Sequence, residues 1–490
     1  MTFFRQRPYL SIFLLAVMLG FTLMGSRSLF EPDEGRYTNV ALNIVDSEEW
    51  ISLYRHPDSL HFTKPPLTYW MIAGSVKAFG FDTWAARLPI ALAYIVCVLL
   101  VFQLGKIFIR EKPWLPALIF ASSPLPFFAS NYISTDYVLA ACITLAILFF
   151  SRYAFLKKSR FWMDAMWAAL GLAFLAKGPP SLLPLLAIIA VLWQQKDLKA
   201  LFRPMGLLAF AIIGLSWYAI VIVRHPGLLD YFIGHEVVNR VAGNGMKRSS
   251  EWYGPLKVYL PVLLFGTLPW LILARNGIVK TLKPWTSQSL ETRFLWLSFL
   301  LPLIIFSLSR SRMPLYLLPV FTIISLLLAR AMGEFEMNPR KLVWLAVWVM
   351  ALLGMRYALS VYDHRKDPDV FGEKIMAITK VAPREIVFVE DMSLYGLHLY
   401  LGSRINKVSF KPDPKRISDS KFDMTLAQAL DQRQGKRIFI FKRENEQYFI
   451  STLREKNLQP LRLGVVADYK KRPENDRLVY TIPGEFEFAP

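Results

Sequence analysis

The chain has 490 residues, 54% hydrophobic and 19% charged, with a formal net charge of +20. So much apolar sequence with so little charge excludes an ordinary soluble globular protein. The basic excess clusters in short loops between apolar runs, which points away from a nucleic-acid surface and toward membrane orientation beside anionic lipid.

Arg5 and Arg7 precede "YLSIFLLAVMLGFTLMG", a run long enough to cross about 30 Å of hydrocarbon. No small-residue cleavage site follows it, so it reads as a retained first helix. Further apolar spans fall at 86–108, 114–131, 137–156, 161–176, 179–194, 204–223, 255–274, 294–309, 314–330 and 341–361. With the first at 8–28 they make eleven, an odd number, so the two ends of the chain face opposite sides. The basic clusters at 110–112, 157–160, 194–199, 275–283 and 338–341 share one side with Arg5 and Arg7, and that side is cytoplasmic by the Lys/Arg bias. The other side receives the loops 29–85, 132–136, 177–178, 224–254 and 310–313 and everything after about 362. Cys97 and Cys142 both lie inside apolar spans, which argues against a disulfide framework or a cysteine metal site.

The loop 29–85 has helical patterning of its own. "RYTNVALNIVD" spaces Tyr37, Val40, Ala41, Ile44 and Val45 on one helical face, and "PPLTYWMIAGSVKAFG" opens on two prolines as a helix often does. Both suggest amphipathic helices along the membrane surface. After about 362 the composition changes. "REIVFVED", "NKVSF", "KRIFIF" and "RLVYTI" read as strands, and "FGEKIMAITK", "LYGLHLYLG" and "MTLAQALDQ" as helices. The expected architecture is a polytopic α-helical membrane protein of about 11 transmembrane helices (1–361, with a structured first periplasmic loop) and a small soluble C-terminal α/β domain (362–490). A Gly-rich phosphate loop and a close metal-ligand cluster such as HExxH are both missing from the sequence.

The loops assigned to the outer side bring together two kinds of charge. Asp33 and Glu34 in "FEPDEGRYTN" and Asp136 in "STDYV" are carboxylates; Lys64, Arg240 and Arg312 are cations. Fixed cations suit a phosphate, with Arg matching its geometry and Lys acting as a point charge, and a carboxylate beside them can take a proton from a hydroxyl. Singly, each residue has a plainer reading. Asp33 or Asp136 can cap or begin a helix, Lys64 can snorkel, Lys177 can mark a turn and a lone His235 can be structural. Glu34 fits a solvated or structural role best.

Six segments in this order, "PDEGRY", "FTKPPLTYW", "TD" at 135–136, "AKGP", "HEVVNRV" and "RMPLYLLP", resemble the bacterial membrane glycosyltransferases related to aminoarabinose transferases and protein O-mannosyltransferases. The resemblance covers roughly the first 330 residues. It implies a GT-C fold in the bacterial inner membrane with a periplasmic active site, a polyprenyl-phosphate-linked sugar as donor, a lipid or glycan acceptor and inverting transfer without a nucleotide sugar. It further implies Asp33 and Asp136 as the acidic catalytic residues, with Lys64, Arg36, Arg240 and Tyr316 around the donor phosphate. His61, Lys177, His235 and Arg312 are further candidates for substrate contact, and no cofactor or metal is assigned. The aminoarabinose transferases have Tyr, Phe, Glu and Lys where this chain has His61, Phe62, Thr63 and Lys64, which leaves the donor sugar open. Transfer to a protein Ser or Thr, and transport of a lipid-linked sugar, are the competing readings. A transporter is expected to show internal repeats and charges at the midplane, and this sequence has neither.

Overall fold

The computed structural model describes residues 7–485 apart from 157–158, 239–248, 282–283, 334, 363–366, 413–416, 419, 433–434 and 470–471, and apart from the side chains of 235–238 and 279–281. The chain forms two compact units. One is helical and comprises Met1–Met24, Lys64–Thr68 and Arg87–Leu359; the other comprises Gly25–Thr63, Tyr69–Ala86 and Ser360–Pro490.

Among the described residues of the helical unit, six helices are long and apolar enough to cross a membrane: Thr83–Phe108, Asp136–Leu156, Pro204–Arg224, Leu290–Leu308, Pro314–Ala331 and Pro339–Val361. A bent pair, Gly254–Phe265 with Trp270–Ile278, makes a seventh if it is one span, with 98° between its arms. The remaining expected spans are shorter or broken. The run 114–131 is two helices, Trp114–Ser122 and Pro124–Ala129. Ser123 between them is extended (ψ 137°), as a residue before proline prefers. The run 179–194 starts as a 3₁₀ turn at Pro179–Leu182 and continues as Pro184–Gln194.

The first apolar run is helical only over Pro8–Phe21. Its end is set by a buried arginine from the last long helix. Arg356 donates to Leu19 O (2.7 Å) and Thr22 O (3.1 Å), and also to Phe127 O and to Ser130 Oγ (2.9 Å). Its guanidinium lies 3.8 Å from the centre of the Phe127 ring. Carbonyls at helix ends have no partner within their own helix, so one guanidinium satisfies the ends of two.

The interior packs on Phe294, ringed by Phe108, Phe150 and Phe155. The helix Phe161–Lys177 is fixed at both ends. Arg203 pairs with Asp164 near its start (2.6 Å). Toward its end, a Cβ placed on Gly214 would stand 3.2 Å from Gly171 Cα, so two backbones meet closely at a pair of glycines. That contact holds the segment leading to Lys177.

The second unit is built on a six-stranded sheet. The hairpin strands β1 (Tyr54–His56) and β2 (Ser59–Leu60) come first in the chain. The sheet follows with β3 (Glu385–Val389), β4 (Arg404–Ser409), β5 (Met424–Thr425), β6 (Arg437–Lys442), β7 (Leu461–Ala467) and β8 (Arg477–Thr481), in the order β5-β4-β3-β6-β8-β7. The first four pair in parallel and the last two antiparallel. Both faces are covered, as in a parallel sheet generally. Val387, Val389, Val408, Phe439 and Phe441 fill one core, while Ile386, Phe388, Ile405, Ile438 and Ile440 fill the other.

The loop after the first helix is part of this unit. Arg55 on β1 pairs with Asp423 (2.6 Å), His56 meets Glu385 (3.3 Å), and Phe62 N donates to Ser418 Oγ (2.7 Å). Burial pushes the Asp423 carboxyl up, but Arg55 and His56 outweigh it and hold the group below the ordinary carboxylate value. The helix expected from "RYTNVALNIVD" runs Asp33–Ser47 and buries Thr38, Asn39 and Leu42 as well as Tyr37, Val40, Ala41 and Ile44. It is thus covered on its polar side too, which differs from a helix lying on a membrane surface. The reason is the C-terminal segment: His398 bonds to Asn39 and to Asp46 across that side.

Candidate active site

The sequence candidates fall in both units. In the helical unit, Asp136 begins the helix Asp136–Leu156 and Lys177 ends Phe161–Lys177. Their side chains form an ion pair in which each is less than a tenth exposed. Lys177 Nζ also lies 4.7 Å from the centre of the Tyr316 ring. Three candidates distant in sequence therefore meet in one cluster. Burial makes a charge pair electrostatically strong and makes either member costly alone.

The cluster has an apolar neighbour. A groove in the same unit is lined by Leu139, Ile143, Pro180, Pro184, Pro302 and Pro319 among others. Leu139, Pro180 and Pro319 each come three residues after Asp136, Lys177 and Tyr316, about one helical turn along.

Arg312 is buried and donates to three backbone carbonyls, those of Ser307, Ser249 and Glu251. These bonds tie the segment before Gly254 to the turn ahead of Tyr316 and give Arg312 a structural task. Lys64 is half-buried, just ahead of the helix Leu67–Phe79. Arg240 and the side chain of His235 lie outside the described residues.

In the α/β unit, Asp33 is the first residue of Asp33–Ser47, and Arg36, one turn on, pairs with it at 2.8 Å. Both side chains keep about 30% of their surface exposed (28% and 31%), so the pair is reachable. Glu34 is fully buried, pairs with Arg27 (2.6 Å) and accepts from Phe30 N (2.8 Å). Its work is structural: it closes the turn that brings the chain into the helix. Glu31 is buried as well. Its Oε1 accepts from Gly396 N, and its Oε2 has no hydrogen-bond partner. Burial pushes this carboxyl up to about 8, with the backbone N–H groups of Gly396 and Tyr395 pulling only part of the way back. His61 is buried, 2.9 Å from Thr63 Oγ1, and stands edge-on to Tyr69, which stacks on Tyr37.

Glu31, Arg27 and His398 carry no motif in the sequence. Their partners lie 365, 7 and 359 residues away, and only the short separation has a local turn signal. Among the described residues no group of three or more His, Cys, Asp or Glu stands ready for a metal ion.

Comparison with known proteins gives a consistent result. The family model described as dolichyl-phosphate-mannose-protein mannosyltransferase matches residues 63–223. An undecaprenyl phosphate-alpha-4-amino-4-deoxy-L-arabinose arabinosyl transferase of Pseudomonas fluorescens is 31% identical over 376 residues, covering 72% of this chain and 66% of that protein. The corresponding transferase of Proteus mirabilis is 29% identical over 317 residues, 63% of this chain and 56% of its own length. The chain thus spans a little under two thirds of the length of the curated relatives it matches. The crystal structure of ArnT from Cupriavidus metallidurans bound to undecaprenyl phosphate superimposes with a TM-score of 0.76 at 19% identity, over 98% of this chain and 99% of that one. That likeness establishes the shared fold.

Proposed function

We propose that the chain is a member of the polyprenyl-phosphate-sugar membrane glycosyltransferases that include the aminoarabinose transferases and protein O-mannosyltransferases, and that it moves a sugar from a polyprenyl-phosphate donor to a lipid A-like or cell-envelope glycan acceptor. The reaction takes place on the periplasmic side of the inner membrane. The full chain makes eleven crossings, counting the broken and shorter helices with the long ones.

The observation that carries the reading is the buried Asp136–Lys177–Tyr316 cluster one turn from an apolar groove. Lys177 supplies the cation of this cluster for the donor phosphate. In the transfer step the bond between the anomeric carbon and the phosphate oxygen breaks, and negative charge builds on the phosphate as it leaves. Lys177, Lys64, Arg240 and Arg36 stabilise that charge, and Tyr316 flanks it. Asp136 pairs with Lys177 and fixes its position. Asp33 accepts the proton of an acceptor hydroxyl as that oxygen attacks, or positions an acceptor phosphate that is already ionised. Arg36, paired with it, holds the carboxylate in place.

Deleting the protein and comparing lipid A, glycan and glycoprotein fractions by mass spectrometry tests the assignment. A sugar lost from the lipid or glycan fraction supports it. Loss confined to glycoproteins would move the acceptor to Ser or Thr, and no loss in any fraction would remove the transferase reading. With purified protein, Lys64→Ala should weaken binding of undecaprenyl phosphate about tenfold, in line with loss of one charge-assisted contact; unchanged affinity would remove Lys64 from the phosphate site.

A further inference from the structure

The C-terminal segment around the short helix Leu397–Leu401 touches the Asp33 helix through His398, which is 3% exposed. His398 Nδ1 lies 2.9 Å from Asn39 Oδ1, and Nε2 lies 3.0 Å from Asp46 Oδ2. Asn39 Nδ2 donates to Arg55 O at 2.7 Å, which orients the amide so that its oxygen faces the ring. Both ring nitrogens therefore face acceptors. The ring thus links the two side chains through both of its nitrogens. Asn39 and Asp46 are seven residues apart, two helical turns, so one ring braces a long stretch of one face. The hydrogen bond from His398 also holds the Asp46 carboxyl below its ordinary value.

Two further bonds from the same segment reach the approach to the helix: Gly396 N to Glu31 Oε1, and Leu29 N to Tyr400 Oη (3.0 Å). The charged and titratable groups around this contact are Asp46 and, acting on it, Arg404 of β4; Glu31, Glu34 and Arg36 at the start of the helix; and Tyr395 and Tyr400 on the segment of His398 itself.

We propose that His398 is a positioning residue for the transfer reaction: bonded through both ring nitrogens, it braces the helix that presents Asp33 and Arg36. The proposal rests on the catalytic reading of Asp33 given above. It assigns the α/β domain a direct part in turnover, although His398 itself touches no substrate.

Amide hydrogen exchange on the full-length protein in lipid nanodiscs tests the brace without any substrate. Exchange over residues 33–47 should be about tenfold faster in His398→Gln than in the wild type. In turnover followed as release of undecaprenyl phosphate from an undecaprenyl-phosphate-linked sugar, His398→Gln should lose about tenfold in kcat with KM nearly unchanged. Unchanged exchange over 33–47 in His398→Gln would overturn the brace while leaving Asp33 catalytic. Full turnover by Asp33→Asn would overturn the catalytic reading, and the positioning role with it, even if exchange behaves as expected.

Discussion

Glu31→Gln is expected to stabilise the α/β unit progressively as pH rises. The wild-type carboxyl sits at about 8 against an ordinary 4.5, chiefly because it is buried. Its Oε1 accepts from Gly396 N and its Oε2 has no acceptor or donor opposite it, so at neutral pH the folded protein holds the proton. The unfolded chain releases that proton above 4.5. Between 4.5 and about 8 the folded state therefore binds more protons, and stability falls with rising pH until it levels off above about 8. At roughly 1.4 kcal/mol per pH unit the ceiling is about 5 kcal/mol, and relaxation of the site brings the expectation to about 2–3 kcal/mol. Gln has the shape of the neutral acid and no proton to lose. The two proteins should match near pH 5 (about the unfolded value), and the variant should lead by about 2–3 kcal/mol at about pH 8.5. Native-state exchange of the β3 amides, Glu385–Val389, reports this unit by itself. A difference that stays constant with pH, or a wild type that gains stability between those values, would refute the reasoning.

Gly35→Ala should be strongly destabilising, because its Cβ would stand 2.1 Å from Glu31 Oε1. Adding Glu31→Ala should restore most of the loss in a thermal melt, and simple additivity of the two would count against the clash. Lys177→Met should cost about 3–5 kcal/mol, because it leaves Asp136 charged and buried without a partner. Asp136→Asn in the same chain should recover a good part of that, whereas undecaprenyl phosphate binding should stay weak in both variants. Arg356→Met removes the donor from Leu19 O, Thr22 O and Phe127 O and should cost about 3 kcal/mol in detergent-solubilised protein. A melt equal to wild type would show those carbonyls satisfied some other way.

The apolar runs were legible because hydrocarbon demands them, and β3, β4, β6 and β8 because they are short runs of β-branched and aromatic residues. The strand β7, "LRLGVVA", has an arginine, a glycine and a mostly exposed edge, so its pattern is weak. The broken spans read as whole because a hydropathy run is blind to Pro124 and to the bend before Trp270. In the candidate site, residue types were legible and pairings were not. Asp136 and Lys177 both stood out as charges in apolar surroundings, but nothing local tells that residues 41 apart will pair. "LYGLHLYLG" reads as a helix, and its middle, Leu397–Leu401, is one. That its histidine serves the Asp33 helix follows only from a fold that joins the first loop to the last domain.

That joining has a consequence in time. The bonds that seat the Asp33 helix link residues 359, 365 and 371 apart in the chain. At roughly 5–20 residues per second of synthesis, the first loop leaves the ribosome about 20–70 s before its partners exist. Over that interval Asn39 and Glu31 have none of these partners and the helix has nothing to pack its polar side against. The Asp33 helix is therefore among the last parts of its unit to be seated, and a nascent or truncated chain, however well its membrane helices have assembled, carries the motif without the scaffold that holds it.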